Sequence, residues 1–224
     1  MSEDTIVPVP PSLAASAWTD NARYEALYQQ SVEDPEGFWA EQGRRLDWLR
    51  PYSQVKDVSY TLGDVHIRWY ADGQLNVAAN CIDRHLETRG GKTAILWEGD
   101  EPDQHKAISY RELYTEVCRL ANGLRALGVG KGDGVVIYLP MVPEAAIAML
   151  ACARLGAVHS VVFGGFAAHE LAIRVDDAKP KVVLTASCGI EIDRVIPYMP
   201  LVSGALKQAA HLSLIHISEP TRPY

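Results

Sequence analysis

Two short stretches carry residue types suited to anion chemistry. The first is Phe163-Gly164-Gly165-Phe166. It follows a strand-like run and precedes a helix-like one, the context in which backbone N–H groups point at a phosphate or carboxylate. Paired glycines let a ligand approach with no Cβ in its way. The second is Glu191-Ile192-Asp193-Arg194, just past the end of a later strand. Ligands of open α/β sheets lie beyond the carboxyl ends of strands, so Arg194 is placed to reach a phosphate held near Gly164 and Gly165. Each stretch also has a plainer reading. Tight turns use Gly-Gly pairs for steric reasons alone, and an arginine in a loop is often simply solvated. Residue types and spacing alone favour the plainer reading of each.

Other motif-like clusters do not survive inspection. Gly90-Gly91-Lys92-Thr93 ends like a Walker loop, but the first glycine of that motif falls on Leu86, and the cluster precedes a strand instead of following one. Gly128, Gly130 and Gly132 run from helix to strand, the wrong direction for a phosphate loop, and read as a turn. His169-Glu170 does not continue to a zinc-protease motif, because Ile173 occupies the second histidine position. No GxSxG, Cys-His or paired-carboxylate arrangement is present, so no catalytic residue and no metal ligand is assigned.

The elements that must position the two stretches can be read from periodicity. Residues 135–139 form a β-branched run bounded by Gly134 and Pro140, and 158–163 form a second strand ended by Gly164-Gly165. Between them a helix begins near Pro143, with Glu144 and Arg154 complementing its dipole and Gly156 placed to cap it. Its centre, AAIAMLACA, is uncharged on every face, which predicts burial on both sides. A helix with Leu171, Val175 and Ala178 on one face stops at Pro180, and a third strand spans 181–186. Strand starts near 135, 158 and 181 recur at helix-plus-strand spacing, the rhythm of a doubly wound parallel α/β sheet. Upstream, Ser109 and Glu112 make a capping box for a helix burying Leu113, Val117, Leu120, Ala121, Leu124 and Leu127. Residues 94–97 read as a strand followed by a polar loop over 101–106. Residues 75–86 read as one helix with Ala78, Ala79, Ile82 and Leu86 inward. Nearer the start, Asp20 and Asp34 open two helices, the second carrying Phe38, Trp39, Leu46, Trp48 and Leu49 as far as Pro51. Residues 65–70 read as a half-exposed strand. Residues 1 to about 80 are expected to form an accessory segment wrapped on the main domain.

Composition narrows the class. Hydrophobic residues make up 48% of the 224, so a packed core is expected. The formal charge of −7 argues against a general nucleic-acid binder. The four cysteines are far apart and form no CxxC pair, which suits small reduced thiols in the cytoplasm. The acidic, Pro-rich N-terminus lacks the basic and apolar regions of a secretory signal, and the longest apolar run, 145–153, is too short to span a bilayer.

Several segments agree, in order, with one family: RYEALYQQ (23–30), FWAEQGRRLDW (38–48), LNVAANCIDRHL (75–86), ILWEGD (95–100), YLPMVPEAAIAMLACARLGAVHSVVFGGF (138–166) and RVDDAKPKVV (174–183). Over about residues 20–210 the chain resembles the N-terminal region of the acetyl-coenzyme A synthetases, which belong to the adenylate-forming ligases. The resemblance implies a loose tail over 1–19, the family's N-terminal extension over 20–84 and a truncated start of the AMP-binding domain over 85–211. It also implies two reaction steps for a full-length parent. Acetate attacks the α-phosphate of ATP, with Mg²⁺ neutralising charge, and the thiol of coenzyme A then attacks the acetyl-adenylate. The family's coenzyme A site maps here onto Phe163, Gly164, Gly165, Glu191, Ile192, Asp193 and Arg194. Glu191 stands where acetate-type members can carry arginine, and a carboxylate there repels phosphate. The ATP loop, the Mg²⁺ ligands and the C-terminal domain with its catalytic lysine have no counterpart, so this chain is expected to be inactive alone. The implied partners are acetate, ATP and coenzyme A, with neither nucleic acid nor membrane. SCGIE (187–191) and VDDAKP (175–180) also resemble propionyl-coenzyme A synthetases, and a stand-alone coenzyme A-binding module is a further alternative, although little or no binding is expected from half a site. An unfinished sheet edge is expected to promote aggregation. The final stretch, LSLIHISEPTRPY (212–224), departs from the family and resembles translated sequencing-adapter read-through, so no evolved function is expected of it.

Overall fold

The computed structural model describes residues 8–101, 103–191 and 194–211. The chain divides into two units, Met1–Leu75 and Asn76–Tyr224. In the first, a short helix α1 (Pro11–Ser16) lies within the expected loose tail, begun by a proline at its first turn and burying nothing. Helices α2 (Asn21–Glu33) and α3 (Pro35–Gly43) are capped as the sequence predicts: Asp20 accepts from the Arg23 N–H at 2.8 Å and Asp34 from the Gly37 N–H at 3.0 Å. Tyr24 and Tyr28 on α2 are each 58% exposed and stack on one another. Helix α3 stops well short of Pro51. Two side chains from the following segment take its last carbonyls: the Trp48 indole donates to Gly43 O at 2.8 Å and the Tyr52 hydroxyl to Ala40 O at 2.8 Å. Leu46, Trp48 and Leu49 therefore lie on a loop. Strands β1 (Lys56–Thr61) and β2 (Asp64–Trp69) form an antiparallel hairpin.

The second unit opens where a single helix was expected over 75–86. It holds α4 (Val77–Cys81), a 3₁₀ turn (Asp83–His85) and α5 (Leu86–Arg89). The break is at Ile82, whose backbone leaves the helical region and whose side chain is fully buried. It lets Asp83 pair with Arg154 while Asn76 caps α4 and donates to Ala153 O and Arg154 O. The loop expected over 101–106 is shorter than foreseen. Residues from His105 already pair with β3 (Thr93–Glu98) as β4 (His105–Ser109). Ser109 then makes both halves of the capping box with Glu112 at the start of α6 (Tyr110–Ala126).

At the centre lies a three-stranded parallel sheet in the order β6-β5-β7, from β5 (Gly134–Leu139), β6 (Val158–Phe163) and β7 (Val182–Thr185). Helix α7 (Pro143–Leu155) joins β5 to β6, and α8 (Ala168–Ala178) returns past β5 to β7. Right-handed crossovers running in opposite directions place α7 and α8 on opposite faces. Val135 to Tyr138 accordingly have no exposed surface. Helix α7 is not buried on both sides as expected: Pro143, Ile147, Ala148, Ala151 and Cys152 are buried, the rest are half-covered, and none is exposed. It packs on α6 and α4, while α8 packs on α9 (Tyr198–Gln208). Gly156 ends α7 with φ +72°, a left-handed cap. After β7 the chain makes an antiparallel hairpin of β8 (Cys188–Glu191) and β9 (Arg194–Pro197), which was expected as loop, and it leads directly into α9.

Candidate functional site

Parallel strands share a polarity, so the ends of β5, β6 and β7 lie at one edge of the sheet. The turn after β6 is closed by the Phe166 N–H donating to Phe163 O at 3.1 Å. The Tyr138 hydroxyl, from β5, donates to Phe166 O at 2.9 Å, and burial pushes that phenol's pKa up. Phe163 and Phe166 contact each other with ring centroids 5.7 Å apart, and Phe163 is 64% exposed. Helix α8 begins just beyond, and Ala167 at its N-cap leaves its first N–H groups without a side-chain cap.

The two glycines of the turn differ. Gly164 is buried, and a Cβ there would collide with the Tyr198 hydroxyl and lie 2.9 Å from Leu139 O. Internal packing explains this glycine. Gly165 is exposed, and a Cβ on it would approach only the Phe163 ring, at 3.2 Å. Gly165 is thus the position where the backbone is open to a ligand.

Arg194 is exposed at the tip of the β8–β9 hairpin, facing Glu191 across the two strands. Ile192 and Asp193 lie outside the described residues. The hairpin is anchored at its base by the Tyr198 N–H donating to Ser187 O at 3.0 Å. Gly189, within β8, also abuts the Tyr198 hydroxyl: a Cβ there would lie 2.8 Å from it. The turn holding Gly164 and the hairpin holding Arg194 therefore meet at one buried side chain. Sequence reasoning missed Tyr198. The available signal was Gly189, since a glycine inside a strand marks a close approach by other atoms.

A separate concavity of about 350 Å³ lies between α6 and α7, bordered by Lys106, Arg119, Leu139, Glu144 and Leu184. None of the expected site residues borders it. Among the described residues no His, Cys, Asp or Glu cluster could hold a metal ion, and no helix is long and apolar enough to cross a membrane.

The turn and the hairpin expose groups of the kinds suited to an anionic ligand. An exposed aromatic ring and an open backbone flank one side, and a guanidinium on a short hairpin supplies charge.

Comparison with known proteins gives two contiguous family matches. Residues 82–221 match the AMP-binding enzyme family and residues 24–81 match the acetyl-coenzyme A synthetase N-terminus. Similar curated proteins include the acetyl-coenzyme A synthetases of Novosphingobium aromaticivorans (55% identical) and Vibrio cholerae (54%), each over 92% of this chain and 32% of the relative. Another, from Stutzerimonas stutzeri, is 56% identical over the same shares. Among solved structures, the acetoacetyl-CoA synthetase of Streptomyces lividans superposes with a TM-score of 0.78 at 26% identity, covering 94% of this chain and 32% of that one. The chain thus spans about a third of the length of the relatives it matches.

Proposed function

The chain belongs to the AMP-binding enzyme family, and on that premise we propose that it is the N-terminal third of an acetate–coenzyme A ligase. The reading is carried by the sequence agreement, above half identical, that runs through the extension and into the AMP-binding region without a break. The full-length parent joins acetate to ATP with Mg²⁺ to give acetyl-adenylate and pyrophosphate. Coenzyme A thiolate then attacks the acetyl carbonyl, AMP leaves, and acetyl-coenzyme A is formed. The parent acts in the cytoplasm on these small molecules.

This third of the ligase contributes one wall of the coenzyme A site. Exposed Phe163 and Gly165 form the surface along which the ligand lies, with buried Gly164 between them set by internal packing, and the hairpin presents Arg194 to a ligand phosphate. Support comes from the open backbone at Gly165, the exposed Phe163 ring and the exposed Arg194. The 224-residue chain alone is inactive, because ATP contacts and a catalytic lysine must come from elsewhere in a ligase of this kind.

A chimera tests the proposal. Residues 24–211 replace the matching segment of the Vibrio cholerae relative, and acetate- and ATP-dependent acetylation of coenzyme A is assayed. Activity of the same order as the intact relative is expected, with Arg194→Ala raising KM for coenzyme A and leaving KM for acetate unchanged. A folded, soluble chimera without activity overturns the assignment. Acetyl-coenzyme A formation by the isolated chain overturns the claim of inactivity.

A further inference from the structure

Tyr198 is only 3% exposed, yet nothing in the proposed chemistry uses it. It opens α9 immediately after β9, the strand that begins with Arg194. Its ring lies against that of Tyr138 in the central strand, with centroids 4.9 Å apart and planes inclined by 32°. Tyr138 in turn holds the far end of the turn after β6 through Phe166 O. The Tyr198 hydroxyl holds the near end, filling the space that a side chain at Gly164 would need. The same hydroxyl fills the corresponding space at Gly189, and the Tyr198 N–H closes the base of the hairpin on Ser187 O. At both glycines, distant in sequence, this one oxygen is the atom that a Cβ would meet most closely, at 2.8 Å from Gly189 and closer still at Gly164.

We infer that Tyr198 is a positioning residue, whose hydroxyl sets the Arg194 hairpin relative to the Gly164-Gly165 turn so that both can engage one ligand; the ligand's identity as coenzyme A rests on the proposed function above. A hairpin of two four-residue strands has few contacts of its own, and its stability must come from what its base packs on. Without the hydroxyl, the turn and the hairpin lose their shared contact and move independently.

Hydrogen exchange read by mass spectrometry on the 224-residue chain tests this at low protein concentration. Tyr198→Phe keeps the ring and removes the oxygen. It is expected to speed exchange about tenfold in both 163–167 and 188–197, leaving β5 and α6 at wild-type rates. Acceleration in only one segment, or in neither, overturns the inference. A second arm reads reciprocity. Gly189→Ala alone places a methyl against the hydroxyl and loosens both segments; in the Tyr198→Phe background the methyl takes the vacated space and the effect shrinks. Additive effects overturn the inference, because a methyl that met only the ring carbons, 3.0 and 3.1 Å away, would be felt equally in both backgrounds. In a third arm, run on the chimera that restores the rest of the site, millimolar coenzyme A is expected to slow exchange in both segments, and less so when the chimera carries Tyr198→Phe. Equal protection in the two proteins overturns the positioning role. Protection of neither segment in the unsubstituted chimera, with reciprocity intact, supports the coupling and refutes the coenzyme A reading instead.

Discussion

Charge reversal at Glu191 offers a quantitative test of the site. Glu191 and Arg194 are cross-strand partners at the hairpin tip. Facing positions in an antiparallel pair have Cβ atoms about 5 Å apart, which puts a phosphate on the Arg194 guanidinium roughly 7 Å from a charge at position 191. In water, two unit charges at that distance interact by about 0.6 kcal/mol. Glu191→Arg changes the local charge by two, and a phosphate monoester carries up to about two negative charges, so the unscreened gain is about 2.4 kcal/mol. At physiological ionic strength the Debye length is about 8 Å, which leaves roughly 0.4 of that, or about 1 kcal/mol. The expected result is therefore about a fivefold tighter coenzyme A interaction, read as KM for coenzyme A in the chimera. Glu191→Gln removes one charge and should give about a twofold gain. The salt dependence is the decisive part. At 10 mM salt the reversal should approach about 25-fold, and at 1 M it should fall below about twofold. A gain independent of salt, or none at all, refutes the placement of a ligand phosphate at this hairpin.

Three further outcomes are expected. Burial raises the Cys152 thiol to about 11, so at pH 8 only about one molecule in a thousand is thiolate, against about one in four for an ordinary cysteine; a thiol reagent should label exposed Cys81 readily and Cys152 only after unfolding, and native labelling of Cys152 contradicts the fold. Strand β6 is an edge strand with Val158, Val161 and Phe163 more than half exposed; Val161→Lys should lower light scattering of the chain while changing stability by less than about 0.5 kcal/mol, and unchanged scattering moves the aggregation-prone surface elsewhere. The Lys181 ammonium donates to Asp133 at 2.7 Å and, with the Gly130 N–H, holds that carboxyl's pKa below its ordinary value. A depressed folded-state pKa gives stability that is present above the unfolded value, about 4, and lost as pH falls through the folded one. Asp133→Asn should lower the urea midpoint at pH 7, with the gap closing as pH drops below about 4; a gap constant across that range excludes this carboxylate as the cause.

The sequence alone determined the elements whose cause is local. Hydroxyl and carboxylate caps at Asp20, Asp34 and Ser109 set helix starts, and Pro143 and Gly156 bracket α7, because each acts within one turn of the backbone it satisfies. The β-branched runs and their spacing were enough for a doubly wound sheet. Tertiary structure alone decided where such signals lose. Helix α3 ends early because Trp48 and Tyr52 reach back to its carbonyls, and the helix over 75–86 breaks at Ile82, freeing Asp83 to meet Arg154. The Gly-Gly pair shows the same division within the site. Its place after a strand was legible, but only packing separates Gly164, held by Tyr198, from Gly165, open to solvent. A contact between residues 34 positions apart leaves no periodicity behind, and a hydroxyl that fits between two glycines is specified by the shape of the folded chain.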